Sequence, residues 1–294
     1  MRIAQRLRQK YEKRALAAEK EQVPMANLTT TVKKAKQFCQ DNNQDWVTFI
    51  VGNEGSGKST LASHICTLFD PEMDIGESMI YSFNEGKNSL LEFYQRYKDT
   101  PYKVAWYDEA VTVLFSLRHS SRDSVDAQEL FKIKRASRHF DVIVSPSFWD
   151  VVPDIRERRI KSLLYCYITV SHPTNHKSIY HRKYAYYSRE KIVQLSANKK
   201  AKYAFSSPKS LFALVKPDFI EEFPGMSEEI EAEYLRCKRQ HRDAVLDRIT
   251  GATTATKIAE IVPPAPAGLT KTEITQAVTK PKSRKKKPAT ETQT

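Results

Sequence analysis

Nine consecutive residues, Gly52-Asn53-Glu54-Gly55-Ser56-Gly57-Lys58-Ser59-Thr60, bring three glycines, a lysine and three hydroxyls into one short stretch. The chain holds only eight glycines, so three within six positions set this loop apart from an ordinary turn. Glycines let a backbone curl until its N–H groups point inward, which is how a loop cradles phosphate. In that arrangement Lys58 reaches the β- and γ-phosphates of a nucleotide and Ser59 ligates Mg²⁺. The apolar run Trp46 to Val51 reads as the strand that feeds the loop, and residues 57 to 69 read as the helix it opens. The positive end of that helix adds to the attraction for an anion.

A second chemical signal follows about fifty residues later in Lys103-Val104-Ala105-Trp106-Tyr107-Asp108-Glu109, an apolar strand that ends in two acids. An acid at the C-terminal end of a parallel strand beside the loop suits the water shell of Mg²⁺, and Asp108 takes that role. Glu109 is then positioned to orient and deprotonate an attacking water, with Lys58 as its catalytic partner on the phosphates. Transfer of phosphate to an organic acceptor needs no such base, so the second acid favours hydrolysis over a nucleotide kinase. In hydrolytic P-loop proteins a further strand ending in a polar sensor lies between the loop strand and the acidic strand. Phe140 to Ser145 fits that strand, with Ser145 or Ser147 as sensor; a serine capping the turn before Pro146 is the alternative.

Placing these groups requires an alternation of strands and helices. Strands are predicted, in chain order, at 46–51, 79–83, 102–107, 140–145 and 163–170, with a further one at 178–187 and irregular chain from there to Pro224. Helices are predicted at 28–40, 57–69, 87–98, 124–138, 151–159 and 228–249, the last started by Ser227 with Glu228 and Glu229 behind it. The fold class expected is α/β: a three-layer P-loop NTPase of the ASCE, RecA-like kind with parallel sheet order 5-1-4-3-2. Residues 1–26 form a basic helical arm, 27–215 the ATPase domain, 216–250 a C-terminal segment and helix, and 251–294 a basic tail. The tail is rich in Ala, Thr, Pro and Lys and buries too little apolar surface to offset its ordering entropy, so it is expected to be disordered.

Composition narrows the setting. The formal net charge is +13, and most of it sits at the ends. Residues 1–21 carry seven basic against three acidic side chains, and 280–287 carry six basic ones with no acid. Flexible basic ends beside a near-neutral body suit a polyanion, although such ends also serve solubility alone. The four cysteines stand far apart with no CxxC pair and no His at metal-ligand spacing, and read as reduced, mostly buried thiols. No secretory segment is recognisable, and the longest apolar runs fall far short of the ~20 residues that cross a bilayer. A soluble, cytoplasmic protein is expected, in the host cytoplasm if the chain is viral.

Taken together, the loop, the Asp108-Glu109 pair, Arg138-His139-Phe140, Pro146-Ser147-Phe148-Trp149 and Ile155-Arg156-Glu157-Arg158-Arg159 resemble the HerA/FtsK superfamily over about residues 46–224. The chain is most similar there to the compact zonular-occludens-toxin-like ATPases of viruses, plasmids and integrated elements. The Gln usual at the end of the sensor strand is absent, and no transmembrane segment follows. The resemblance implies ATP and Mg²⁺ as cofactors, DNA as partner, and a homo-oligomeric ring, taken here as a hexamer. It implies an ATP-hydrolysing DNA translocase or packaging motor of a virus or mobile element, acting with virion proteins. The alternative is a nucleotide-gated DNA-binding ATPase that assembles on DNA and targets or times a recombinase. Ring ATPases complete the site with an arginine from the neighbouring subunit; Arg135, Arg138, Arg156, Arg158 and Arg159 are candidates and Arg138 is chosen. The interleaved Tyr180, His181, Arg182, Lys183, Tyr184, Tyr186 and Tyr187 could form a nucleic-acid face, or a half-buried strand with its aromatics inward.

Overall fold

The computed structural model describes residues 25–82, 88–108, 126, 129, 130, 133–151, 153–172 and 178–250. The basic arm before residue 25, Glu109, six of the fifteen residues of the predicted 124–138 helix and the tail after Thr250 lie outside the described residues, and Lys134–Ser137 of that stretch form a 3-10 turn. Among the described residues, seven strands form one sheet in the order β2-β3-β4-β1-β5-β6-β7. They are β1 (Trp46–Gly52), β2 (Met79–Ile80), β3 (Val104–Tyr107), β4 (Phe140–Ser145), β5 (Ile160–Ser171), β6 (Ile179–Tyr187) and β7 (Phe219–Glu222). The first five are parallel and run in the predicted order 5-1-4-3-2. β6 and β7 extend the β5 edge as antiparallel strands, so the sheet is mixed.

Helices cover both faces, because the strands are apolar on both sides. In β1, Val47, Phe49 and Val51 face one core and Ile50 the other. On the first face lie α4 (Leu90–Tyr97), α5 (Pro153–Arg158), α6 (Arg189–Ala197), α7 (Ala201–Ala204) and α8 (Pro208–Leu214), packed through Phe93, Ile155, Ile192, Leu195 and Leu211. On the second lie α1 (Ala26–Asn42), α2 (Lys58–Phe69) and α3 (Ile75–Ser78), through Leu28, Val32, Leu61, Ile65 and Phe69. The start of α9 (Glu228–Thr250) joins them there through Tyr234 and Cys237. Three layers result, as α/β sheets with both faces covered require.

Local signals set the helix ends. Ser89 accepts from the Glu92 backbone at 3.2 Å, Asp74 from Glu77 at 3.1 Å, and Ser227 from Ile230 at 3.4 Å, each an N-cap. α1 has no side-chain cap of its own; the carboxylate of Glu221, from β7, accepts from the backbones of Asn27 and Leu28 instead. The stretch 189–214, expected as irregular, carries the three helices α6, α7 and α8, and 219–222 pair with β6 as a strand. The four cysteines are all buried and free. None of the described helices is long and apolar enough to cross a membrane. The chain divides into two units: Met1–Arg239 holds the sheet and its layers, and of Gln240–Thr294 the described part is the helical stretch 240–250.

Candidate nucleotide site

The loop after β1 is shaped by two close approaches. Gly52 sits at φ +146°, and a Cβ there would lie 2.2 Å from the backbone oxygen of Cys166 on β5, so only a glycine passes. Gly57, at φ +91°, turns the chain into α2 with the side chains of Arg182 and Phe223 laid against it. No side chain caps α2 and no acid stands in its first turn, so its leading N–H groups remain for an anion. The Ser56 hydroxyl is buried and has no hydrogen-bond partner among the described residues. Asn53, Glu54 and Gly55 form the exposed rim, and Thr60 continues α2. Lys58 Nζ donates to the carbonyls of Gly52 and Asn53, both at 2.9 Å, which holds the amine inside the loop.

β4 lies between β1 and β3, as expected, and the two halves of the site meet across it. Ser59 Oγ donates to Asp108 Oδ1 at 2.9 Å. Asp108 is only 1% exposed, yet its second oxygen is also engaged: Tyr234 Oη donates to Oδ2 at 3.0 Å and Lys238 Nζ lies 3.1 Å from it. Both side chains come from α9, a contribution sequence reasoning missed. Tyr234 and Lys238 stand i, i+4 on one helix face, but nothing local signals a partner 126 residues away. Burial opposes the charge of Lys238, yet Asp108 and Tyr234 hold its pKa above the usual lysine value. Burial, and then the Asp108 charge, raises the Tyr234 hydroxyl, which therefore stays a donor.

Ser59 and Asp108 offer hard oxygen donors side by side, and a cationic amine already accompanies the acid. That donor set fits Mg²⁺, which would be held through one carboxylate, one hydroxyl, waters and phosphate oxygens. Ser145 and Ser147 occupy the turn beside the loop, where the Gly52 N–H donates to the Pro146 carbonyl at 3.4 Å. Ser145 donates to Asp150 at 3.0 Å, and Ser147 Oγ accepts from the Trp149 backbone at 3.1 Å, so both hydroxyls serve the turn in this structure.

The arginine candidates separate by place. Arg138 precedes β4 at the opposite end of the strands, about 17 Å of strand from the loop's edge, where it donates to Asn43 and stacks over Tyr102. Arg156 is buried over Trp149 and Phe148, Arg159 is paired with Asp45, Arg158 is exposed beside Asp154, and Arg135 is exposed. In β6, Tyr184 and Tyr187 point into the two cores and Tyr186 stacks on Phe219, while His181 and Lys183 face Glu222. The half-buried reading therefore describes most of that strand. Arg182, assigned to the same face from sequence, instead reaches the phosphate loop at Gly57.

The strand order, the inserted β4 and the meeting of Ser59 with Asp108 decide the architecture. The fold is that of a P-loop NTPase. No family model matches the chain, and no curated protein matches it. Among solved structures, the chain is similar to the N-terminal domain of zonular occludens toxin from Neisseria meningitidis, at 10% identity and TM-score 0.38, over 64% of this chain and 97% of that one. It is also similar to the genome packaging NTPase B204 from Sulfolobus turreted icosahedral virus 2. In complex with ATP-gammaS that protein matches at 15% identity and TM-score 0.33, over 50% of this chain and 93% of that one. In complex with sulfate it matches at 13% identity and TM-score 0.34, over 63% and 98%.

Proposed function

We propose that this chain is an ATP-hydrolysing DNA translocase or packaging motor of a virus or mobile element, working as a ring. The observation that carries the hydrolytic half is the 2.9 Å contact of Ser59 with Asp108 at the foot of an uncapped helix. Ser59 and Asp108 would hold Mg²⁺, which would supply positive charge against the charge that develops in phosphoryl transfer. The chain's own residues do the rest. The loop N–H groups and the α2 terminus orient the phosphates, Lys58 swings from its carbonyls onto them, and Glu109, directly after Asp108, takes the proton of the attacking water. The aliphatic stem of Arg182 lies against Gly57, with its guanidinium towards Gly225, and so brings a basic side chain near the loop.

The motor half rests on the resemblance in Arg138 to Phe140 and Pro146 to Trp149, and on the basic ends. Arg138 stands far from its own loop, as an arginine that serves a neighbour's site must. The test is phosphate release by the full chain with and without DNA, paired with displacement of a labelled strand or a bound roadblock. DNA-stimulated hydrolysis with directional displacement supports a motor. Hydrolysis that never displaces anything assigns the chain to the nucleotide-gated alternative, and phosphate release that requires an organic acceptor overturns both.

A further inference from the structure

The acid expected to serve the metal is fully occupied by groups of the same chain. After β7 the chain lays the Phe223 ring against Gly57, and the Pro224 carbonyl meets His64 Nε2 of α2 at 3.2 Å. α9 then crosses the end of β3. Tyr234 stacks on Trp106 with ring centroids 5.4 Å apart and planes 8° from parallel, which fixes the helix over the strand. From that anchor Tyr234 Oη and Lys238 Nζ both reach Asp108 Oδ2, while Ser59 holds Oδ1. A carboxylate 1% exposed needs a cation, and Lys238 is the one the described residues supply within 4 Å. Lys238 itself keeps 36% of its side chain in solvent, on a flexible stem, so it can leave where the stacked tyrosine cannot.

A divalent ion drawing on the same carboxylate would sit within a few ångströms of that ammonium, and like charges so close repel. We propose that Lys238 is a positioning residue of the nucleotide site: an internal cation, carried by α9, that holds the Ser59–Asp108 pair until Mg²⁺ with nucleotide displaces it. This rests on the site being a Mg²⁺-nucleotide site. Release of Lys238 would uncouple the α9 side of the site from Asp108 while Tyr234 stays stacked, so metal loading is communicated to the C-terminal helix. Because the competition is thermodynamic, it is reciprocal: whatever removes Lys238 strengthens metal binding, and metal binding frees Lys238.

Two measurements on the full chain test it. The first titrates Mg²⁺ against a fixed concentration of a fluorescent, non-hydrolysable ATP analogue and reads the Mg²⁺ that gives half-maximal binding, in wild type, Lys238→Gln, Lys238→Ala and Lys238→Arg. The half-saturating Mg²⁺ should fall about five-fold or more in the Gln and Ala variants and stay near wild type in the Arg variant, which keeps a cation. The second reads reductive methylation of Lys238 by mass spectrometry. Labelling should rise when Mg²⁺ and the analogue are added together, and not with the analogue in EDTA. A half-saturating Mg²⁺ equal in wild type and both neutral variants overturns the proposal, as does labelling that Mg²⁺-nucleotide leaves unchanged. If the wild-type chain binds no nucleotide in a Lys58-dependent way, the reading of the site itself fails and the proposal falls with it.

Discussion

Acid should unfold this protein partly through one imidazole. His139 enters β4 with no exposed surface; its Nε2 lies 2.9 Å from the Tyr97 carbonyl and 3.2 Å from that of Thr100, a geometry in which Nε2–H donates to both. Nδ1 is buried without a hydrogen-bond partner among the described residues. Burial is the main cause that lowers its pKa from 6.5 to about 4, with the nearby Lys134 charge adding to it and the two carbonyls opposing. The folded pKa lies below the unfolded one, so between them the unfolded chain binds the extra proton. Stability is therefore complete above about pH 6.5 and is lost as pH falls towards 4. At 1.36 kcal/mol per pH unit, the gap from 6.5 to about 4 amounts to about 3 kcal/mol. Urea denaturation of wild type and His139→Gln, which keeps an N–H donor, should be measured from pH 7.5 to 4. Carboxylates titrate in both chains and cancel in the difference. Wild type should lose about 3 kcal/mol relative to the variant across that window; parallel curves would refute the reasoning.

Gly52→Ala adds a Cβ against the Cys166 carbonyl at a backbone angle reserved for glycine, which costs about 1–3 kcal/mol for each effect. Its melting temperature should fall by roughly 10 °C, and calorimetry checks it. Lys58→Ala should lose ATP affinity at least ten-fold, whereas Glu109→Gln should bind ATP normally and turn over 10²-fold or more slowly; equal binding loss in equilibrium titrations would refute separate roles. Mixing Arg138→Ala with Glu109→Gln should restore activity above the sum of the separate proteins, because a mixed interface pairs an intact arginine with an intact base. Deleting residues 263–294 should flatten the log-log salt dependence of DNA binding by several units, at ~0.9 per lost phosphate contact, and leave basal hydrolysis intact. An unchanged slope would mark the tail as a solubilising appendage.

The parallel core was legible because its signals are local. Strand runs such as Trp46 to Val51 are apolar throughout, and Asp108 follows directly on one, so strands and acid could be read from the residues, while the strand order followed from the hydrolytic P-loop class to which the two motifs point. The antiparallel extension was half legible. Alternation announced β6, but β7 is four residues long between Pro217 and Pro224, and its pairing with β6 depends on chain that returns from far away. Ser207-Pro208 was a readable helix start, with the serine accepting from Ser210 and proline at the first helical position, yet the Lys-rich run before it hid the pattern. Buried charge was hidden altogether. Lys134, with no exposed surface, pairs with Asp141 and donates to Tyr107 at 2.7 Å, and a lysine in a polar stretch gives no sign of such a burial. Lys238 escaped notice for a related reason: its partner is a neighbour only in three dimensions.

The two outer strands of the sheet bear on how copies of the chain can meet. β2 has two residues and β7 four, and half of β7 is glutamate, with Glu221 tied to α1 and Glu222 to Lys183. Short, acid-bearing margins give an incoming strand few backbone groups to pair with. Among the described residues, these two margins therefore favour association of copies through helical and loop surfaces over strand pairing. A continuous ladder of main-chain hydrogen bonds between copies would lock them together, and β2 and β7 are too short to start one.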